Sequence, residues 1–325
     1  MQYKRNRAFR LVLVLSPPLI VLAVFLGDEW HRPWMLLEAE RAGILELRAW
    51  RVLLGGVVGA SLAVSGAVLQ TLLRNPLAEP YVLGLSSGAG LATVVALVAG
   101  AAAWGVFALP AAGFLGALIS LAVVYRLARS GATTTSHTLI LAGVIWGSLC
   151  GSVLMFLVSQ STAEGLRAVM WWMLGDLQVY DTRLLQAVAC LNGAALLGLL
   201  LMARDLNVMW LGDEAAGHIG LNPERLKVMA LGGAAVLAAS AVSVSGLIAF
   251  VGLVAPHAVR ALVGPDHRRL IPACALAGAV FLVWADGIGR TILFPIEVPV
   301  GVLTALTGAP FFLVLLRRRH RTMWK

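Results

Sequence analysis

The feature that most constrains this 325-residue chain is a series of mainly apolar runs, each 17 to 22 residues long, joined by short polar connections. A run of about 17 to 25 apolar residues is the length a helix needs to cross the hydrocarbon of a bilayer. Lipid offers the backbone no hydrogen-bond partner, so the crossing segment must satisfy itself, and a helix does. Ten such runs fall at residues 11–27, 52–73, 82–103, 105–125, 137–158, 184–203, 228–244, 246–263, 270–290 and 299–316. The seventh and eighth are the hardest to separate. Between Val228 and Val263 only small residues such as Ser240, Ser243, Ser245 and Gly246 interrupt the apolar text, and counts of nine or eleven also fit. With 60% apolar and 13% charged residues and a mean hydropathy of +0.88, the chain lies far from the soluble average. The expectation is an all-α integral membrane protein, one transmembrane domain over residues 1–325.

A formal charge of +9 invites a nucleic-acid reading, which the distribution of charge removes. With ten spans and the N-terminus inside, the inner segments hold 18 of the 25 Lys and Arg residues but only six of the 16 acids. The inner side then carries +12 and the outer side −3, the asymmetry of the positive-inside rule. Both termini are expected on the cytoplasmic side. The start, KRNRAFR followed by LVLVLSPPLIVLAVFLG, has the basic and apolar regions of a signal peptide but no small-x-small cleavage site, so a retained first span is expected. Cys150, Cys190 and Cys274 lie in apolar runs without CxxC spacing and read as small buried side chains.

Five connections carry polar content: 28–51, 159–183 and 291–298 outside, and 204–227 and RNPLAEP (74–80) inside. The outer stretch STAEGLRAVMWWMLGDLQVYD has a Trp pair, which suits a helix lying at the headgroup level. The chain also echoes itself. VSGAVLQTLLRNPLAEPYVLG from Val64 aligns without gaps on VSGLIAFVGLVAPHAVRALVG from Val244, with seven identities in 21, among them Pro76/Pro256. Both copies are expected to run from outside to inside and to end in a proline break, as repeated elements around a transport pathway do. Glycines recur four apart, at Gly55/Gly59, Gly84/Gly88 and Gly143/Gly147/Gly151, a spacing that lets helix backbones approach closely in lipid.

Ten spans point to transport, so an energy source is the next question. A phosphate-binding loop needs G-x-x-x-x-G-K-[ST], and none of Lys4, Lys227 and Lys325 precedes Ser or Thr. An ion-coupled carrier keeps ionisable groups at mid-membrane; here the main exception is Asp286 with Arg290, four apart on one helical face near the outer end of the ninth span. His137 and His257 sit near helix ends, and no His, Cys and carboxylate set has metal-ligand spacing. There remains one charged inner insert, GDEAAGHIGLNPERLK (212–227). Its acids come early and its bases late, as the helix dipole favours, and Gly217, Gly220 and Asn222-Pro223 divide it into two short pieces. It reads either as a solvated loop or as a short helix that docks on a partner.

Three long motifs then carry a resemblance over nearly the whole chain. RNPLAEPYVLGLSSGAG (74–90), GLIAFVGLVAPHAVRALVGPDHRRLIP (246–272) and ADGIGRTILFPIEVPVGVLTALTGAPFF (285–312) resemble the FecCD-type permease subunits of binding-protein-dependent ABC importers for iron-siderophores, haem and cobalamin. The resemblance implies the type II importer permease fold in a bacterial inner membrane. It implies a second copy of the chain, two ATPase subunits that bind ATP and magnesium, and a periplasmic substrate-binding protein; no catalytic residue, metal or cofactor belongs to this chain itself. Residue by residue, it places ATPase coupling at Gly212, Asp213, Glu214, His218, Gly220, Leu221 and Arg225. Docking of the binding protein falls on Arg48, Arg51 and Arg290, where a partner carboxylate competes with Asp286. An inner gate falls on Asn75, Leu77, Ser136 and His137, the histidine departing from the small hydroxyl residue of the family. The pathway falls on Gly143, Gly147, Gly151, Thr304 and Thr307. An ATPase-independent carrier or channel is the alternative class.

Overall fold

A computed structural model of the chain describes residues 2–27, 42–130, 133–179 and 181–323. Most of the outer connection 28–51, namely 28–41, lies outside the described residues, as does Tyr180. The structure is all-helical apart from a two-residue antiparallel pairing of Arg129–Ser130 with Thr133–Thr134. In chain order the helices are α1 (Gln2–Leu22), α2 (Ala42–Leu72), α3 (Leu85–Val98), α4 (Ala108–Ala128), α5 (Ser136–Ser159), α6 (Ala163–Leu174), α7 (Thr182–Leu201), α8 (Ala203–Met209), α9 (Asp213–His218), α10 (Pro223–Ser245), α11 (Val251–Val263), α12 (His267–Ile292) and α13 (Val300–Met323). Among the described residues seven of these are long and apolar enough to cross a membrane, and three shorter apolar stretches, Leu85–Val98, Val251–Val263 and Val300–Val314, stand at the third, eighth and tenth expected spans.

Helix α2 is the axis of the bundle. Its apolar window is 78% buried, against 22% for α5 and 28% for α4, because α7, α10, α11 and α12 pack around it. Small residues make that possible. A methyl group on Gly59 would overlap the Gly278 carbonyl of α12, and one on Gly66 would overlap the Gly252 carbonyl of α11. In lipid, where apolar burial gains nothing over the acyl chains, such close backbone approach and interhelical hydrogen bonds hold helices together. Ser65 Oγ donates to the Ala234 carbonyl of α10 at 2.7 Å, and Ser240 of α10 bonds Asn192 of α7.

The third and eighth spans are shorter than expected for a physical reason. The backbone between α2 and α3 and between α10 and α11 is irregular at the level of the bundle, and the two irregular stretches satisfy each other. Glu79 Oε1 accepts from the Phe250 N–H at 2.6 Å, while the Tyr81 hydroxyl donates to the Ile248 carbonyl at 2.9 Å and accepts from its N–H at 3.1 Å. Phe250 has φ 69° and Gly246 φ 68°, so the chain turns sharply between α10 and α11, and the Trp172 carbonyl of α6 leaves no room for a side chain at 246. Non-helical backbone is tolerated at this depth only where protein supplies its partners. The two repeat copies therefore touch but differ. The first breaks at its Pro76 end, whereas Pro256 lies inside α11 and the second copy breaks instead at Gly246. The expected proline break in both copies is thus corrected for the second.

The outer Trp-pair stretch forms α6, capped by Thr162, whose Oγ1 accepts from the Gly165 N–H at 3.2 Å. Trp171 is exposed and Trp172 packs on the core.

Candidate functional site

Polar chemistry gathers at the two ends of the bundle. At one end, Arg48 and Arg51 sit a turn apart on α2, on the same face. Arg290 lies in the last turn of α12, one turn after Asp286. These α2 and α12 turns are side by side, and Asp286 is the shared partner. Arg51 grips it through Nε at 3.0 Å to both carboxylate oxygens and Nη2 at 2.8 Å to Oδ1, with Nη1 reaching Glu297 at 2.9 Å. Arg290 Nε lies 3.2 Å from Asp286 Oδ2 but out of hydrogen-bond alignment, and its Nη2 donates weakly to the Ala23 carbonyl at 3.5 Å. Asp286 and Arg290 are 3% and 7% exposed, which is tolerable for charges only because they are paired. Arg48 lies flat against Gly27, where a side chain would collide with its guanidinium. All three arginines line one open cavity of about 380 Å³, with Leu47, Gln178 and Glu297. The structure therefore brings the three together. The helical Asp286–Arg290 pair read from the sequence exists, but Arg51, 235 positions away, holds the carboxylate better.

At the opposite end the charged insert is a helix-turn-helix. α8 and α9 pack through Met209 and Ala216 against Leu226, with Leu221 beside them. Gly212 (φ 127°) makes the turn into α9 and Gly220 (φ 84°) the turn out of it. Asn222 then caps α10, its Oδ1 accepting from the Arg225 N–H at 3.0 Å, with Pro223 at the first helical position. The second of the two expected pieces is corrected accordingly: Arg225 and Lys227 belong to the first turns of the span helix α10. Glu214, His218, Gly220 and Arg225 are exposed, whereas Leu221 turns partly inward. Leu211 and Ile219, 74% and 63% exposed, add an apolar margin that the charge pattern did not reveal.

Lys227 was also missed, because a lone lysine at the end of a charged stretch reads as solvated. It is 9% exposed, and its ammonium donates to Asp213 Oδ2 at 2.6 Å, Glu224 Oε1 at 3.0 Å and the Thr134 carbonyl at 3.0 Å. Asp213 Oδ1 accepts from Arg74 at 2.7 Å. Next to this cluster, Asn75 Oδ1 accepts from the Leu77 N–H at 2.9 Å, which leaves Leu77 half exposed, and Ser136 Oγ points to the Leu72 carbonyl at 3.5 Å, with His137 exposed beside it. Asp266, in the short link before α12, caps that helix. The Arg268 guanidinium, with the Asn207 amide and the Arg268 N–H, holds its carboxyl down to about 2 against the opposing effect of burial.

The expected pathway residues divide. Gly143 is packed against the Val82 carbonyl, so its lack of a side chain serves contact within the chain, while Gly151 has open space and borders a cavity with Ser86, Ser87, Ser148 and Ser152. Gly147 is intermediate, with Ser87 and Gly84 at ordinary contact distance. Thr304 is fully buried and its hydroxyl donates to Gly301 of its own helix; Thr307 is exposed and bonds Leu303. Among the described residues no group of three His, Cys, Asp or Glu side chains is placed to hold a metal ion.

An all-helical bundle with half-length helices meeting at irregular backbone, a basic cavity at one end and a charged helical insert at the other defines a membrane transport subunit. Residues 12–318 match the model of the FecCD transport family, and the chain belongs to that family as the permease subunit of an ABC importer. It is 45% identical over 277 residues to the cobalamin import system permease of Halobacterium salinarum, covering 84% of this chain and 73% of that one. It is 42% identical over 286 residues to the hemin transport system permease of Yersinia pestis, covering 85% and 83%. A solved structure described as an inward-facing metal-chelate type ABC transporter superposes with a TM-score of 0.86 at 28% identity, covering 96% of this chain and 99% of that one.

Proposed function

We propose that this permease carries a bulky metal-centred ligand, a metal chelate, haem or corrinoid, across a bacterial inner membrane between two copies of the chain. The relatives named for cobalamin and hemin support that ligand class. So does the absence of Asp, Glu, Lys and Arg along α5 and along the apolar part of α13, Val300–Val314, which would let a large ligand pass without binding tightly. The arginine end faces outward and receives the carboxylates of a substrate-binding protein. The insert end and both termini face the cytoplasm, where two ATPase subunits bind ATP and magnesium and dock on Glu214, His218 and Arg225, with Leu211 and Ile219 as apolar margin. Closure of the ATPases shifts the inserts, the spans rock, and access alternates between the two faces.

The observation that carries this reading is the opposition of the two ends: a basic cavity with Arg48 at its wall, and an insert whose charged face is left exposed. The test is capture of the binding protein by the detergent-solubilised permease–ATPase complex. Arg48→Glu should weaken capture at least tenfold while the ATPase subunits still copurify. Unchanged capture would remove Arg48 from the docking surface.

A further inference from the structure

Resting on that reading of the insert, we infer that Arg74, Asp213 and Lys227 form the transmission that carries a displacement of the insert to the two connections leading to α3 and α5. Asp213 is the first residue of α9, so its carboxylate moves with the insert. Its two oxygens serve different segments. Oδ1 accepts from Arg74, which lies in the α2–α3 connection immediately before Asn75 and Leu77. Oδ2 accepts from Lys227, whose ammonium also donates to the Thr134 carbonyl two residues before Ser136 and His137. Glu224 closes the second branch, accepting from Lys227 at 3.0 Å and from the Thr134 N–H at 3.2 Å.

Two features separate this cluster from an ordinary surface ion pair, which contributes little. Lys227 is buried with all three ammonium hydrogens committed, so pulling Asp213 away while Thr134 stays would strand a donor of a buried cation. The backbone is also shaped for the contact. Arg74 adopts φ 47°, a conformation rare outside glycine, and its guanidinium lies 3.5 Å from where a Gly212 side chain would begin, at a residue whose own φ of 127° excludes one. The insert therefore moves with the 134–137 segment or breaks a satisfied buried charge, and it moves with the 74–77 segment or breaks the half-exposed Arg74–Asp213 pair. Because the branches diverge at Asp213, each can be cut alone.

The experiment uses the full permease–ATPase complex, reconstituted in liposomes, with the permease's Cys150, Cys190 and Cys274 replaced by serine and labelling read on the permease chain. Reporter cysteines are introduced as Leu77→Cys or His137→Cys, both at exposed positions, and labelled with a maleimide with and without a non-hydrolysable ATP analogue. In the parent complex the analogue should change the labelling rate at both positions. Arg74→Gln should abolish the change at 77 and leave that at 137. Lys227→Met should do the reverse, with Lys227→Arg restoring the response, and either substitution should lower transport per ATP hydrolysed at least fivefold while the ATPase copurifies. Responses at both positions that survive both substitutions overturn the inference, as does loss of both responses on cutting one branch, which a merely structural role would produce. If the parent insert variants Glu214→Ala and His218→Ala retain full ATPase capture and coupling, it is the docking reading that fails, independently of the relay.

Discussion

Among the described residues Asp286 accepts its aligned hydrogen bonds from Arg51 alone, so Arg51→Leu strips a carboxylate that is 3% exposed of its well-directed donors. Arg290 stays within 3.2 Å but points off line. Removing one partner of a buried pair costs about 3–5 kcal/mol, because the charge left behind is neither solvated nor bonded. The upper part of that range is blunted by the residual attraction of Arg290, so about 3 kcal/mol is expected. Replacing both partners, Arg51→Leu with Asp286→Leu, leaves no stranded carboxylate and should cost less than the sum of the single changes by about 1–3 kcal/mol. The assay is a double-mutant cycle on the unfolding midpoint in mixed micelles titrated with SDS. An Arg51→Leu protein within about 1 kcal/mol of the parent, or strictly additive singles, would refute the argument that this pair is structural. The consequence for function is direct: reversing Arg48, Arg51 and Arg290 together would confound docking with folding, since Arg51 joins α2 to α12 through Asp286 and Arg290 is buried beside that carboxylate. The proposed docking role is therefore tested on Arg48→Glu alone, with copurification of the ATPase subunits as the control for folding.

Two further outcomes test the packing and the inner face. Gly66→Ala should destabilise by about 1–3 kcal/mol in the same titration, because its methyl group meets the Gly252 backbone rather than a side chain that can turn away, while Gly151→Ala, with nothing within 4 Å, should be neutral. Asp266→Ala should cost about 1 kcal/mol through loss of the α12 cap. Its carboxyl sits at about 2 when folded against 3.8 unperturbed, so its contribution is complete above about pH 4 and is lost as pH falls through about 2. The gap between parent and variant should therefore be constant from pH 8 to 5 and narrow below 4; a gap that narrows between pH 8 and 6 would point to a different titrating group.

What the sequence made legible follows the range of the forces involved. Span positions depend on local apolar run length, and all ten expected runs have a helix, with α2, α5, α7 and α12 starting or ending within a few residues of at least one expected boundary. The shortness of α3 and α11 was hidden because the partners of the irregular backbone come from about 170 positions away: Glu79 for Phe250, Tyr81 for Ile248. Glu79 in particular read as one more charge in an inner turn. The Asn222-Pro223 pair carried a helix-start signal, a side-chain cap followed by proline, yet the surrounding charges favoured a loop reading and hid the continuity of α10. At the arginine end an i, i+4 pair was visible, while the stronger Arg51–Asp286 pair required knowing that α2 and α12 are neighbours.

The same distinction bears on how the permease can move. Around α2 the helices meet backbone to backbone, at Gly59 with Gly278 and Gly66 with Gly252, and sliding such surfaces forfeits close contacts along their whole length. Helix α5 is different within one chain: 22% of its window is buried, against 78% for α2, and beyond Gly143 its ridge meets ordinary contacts or open space. A displacement delivered through Lys227 to Thr134 arrives two residues before α5 begins, at an element with little packing to lose. One delivered through Arg74 arrives at the foot of α2, which has the most. The Lys227 branch should therefore produce the larger motion and the Arg74 branch a local rearrangement of the 74–77 turn, so the nucleotide-dependent change in labelling should be greater at position 137 than at position 77.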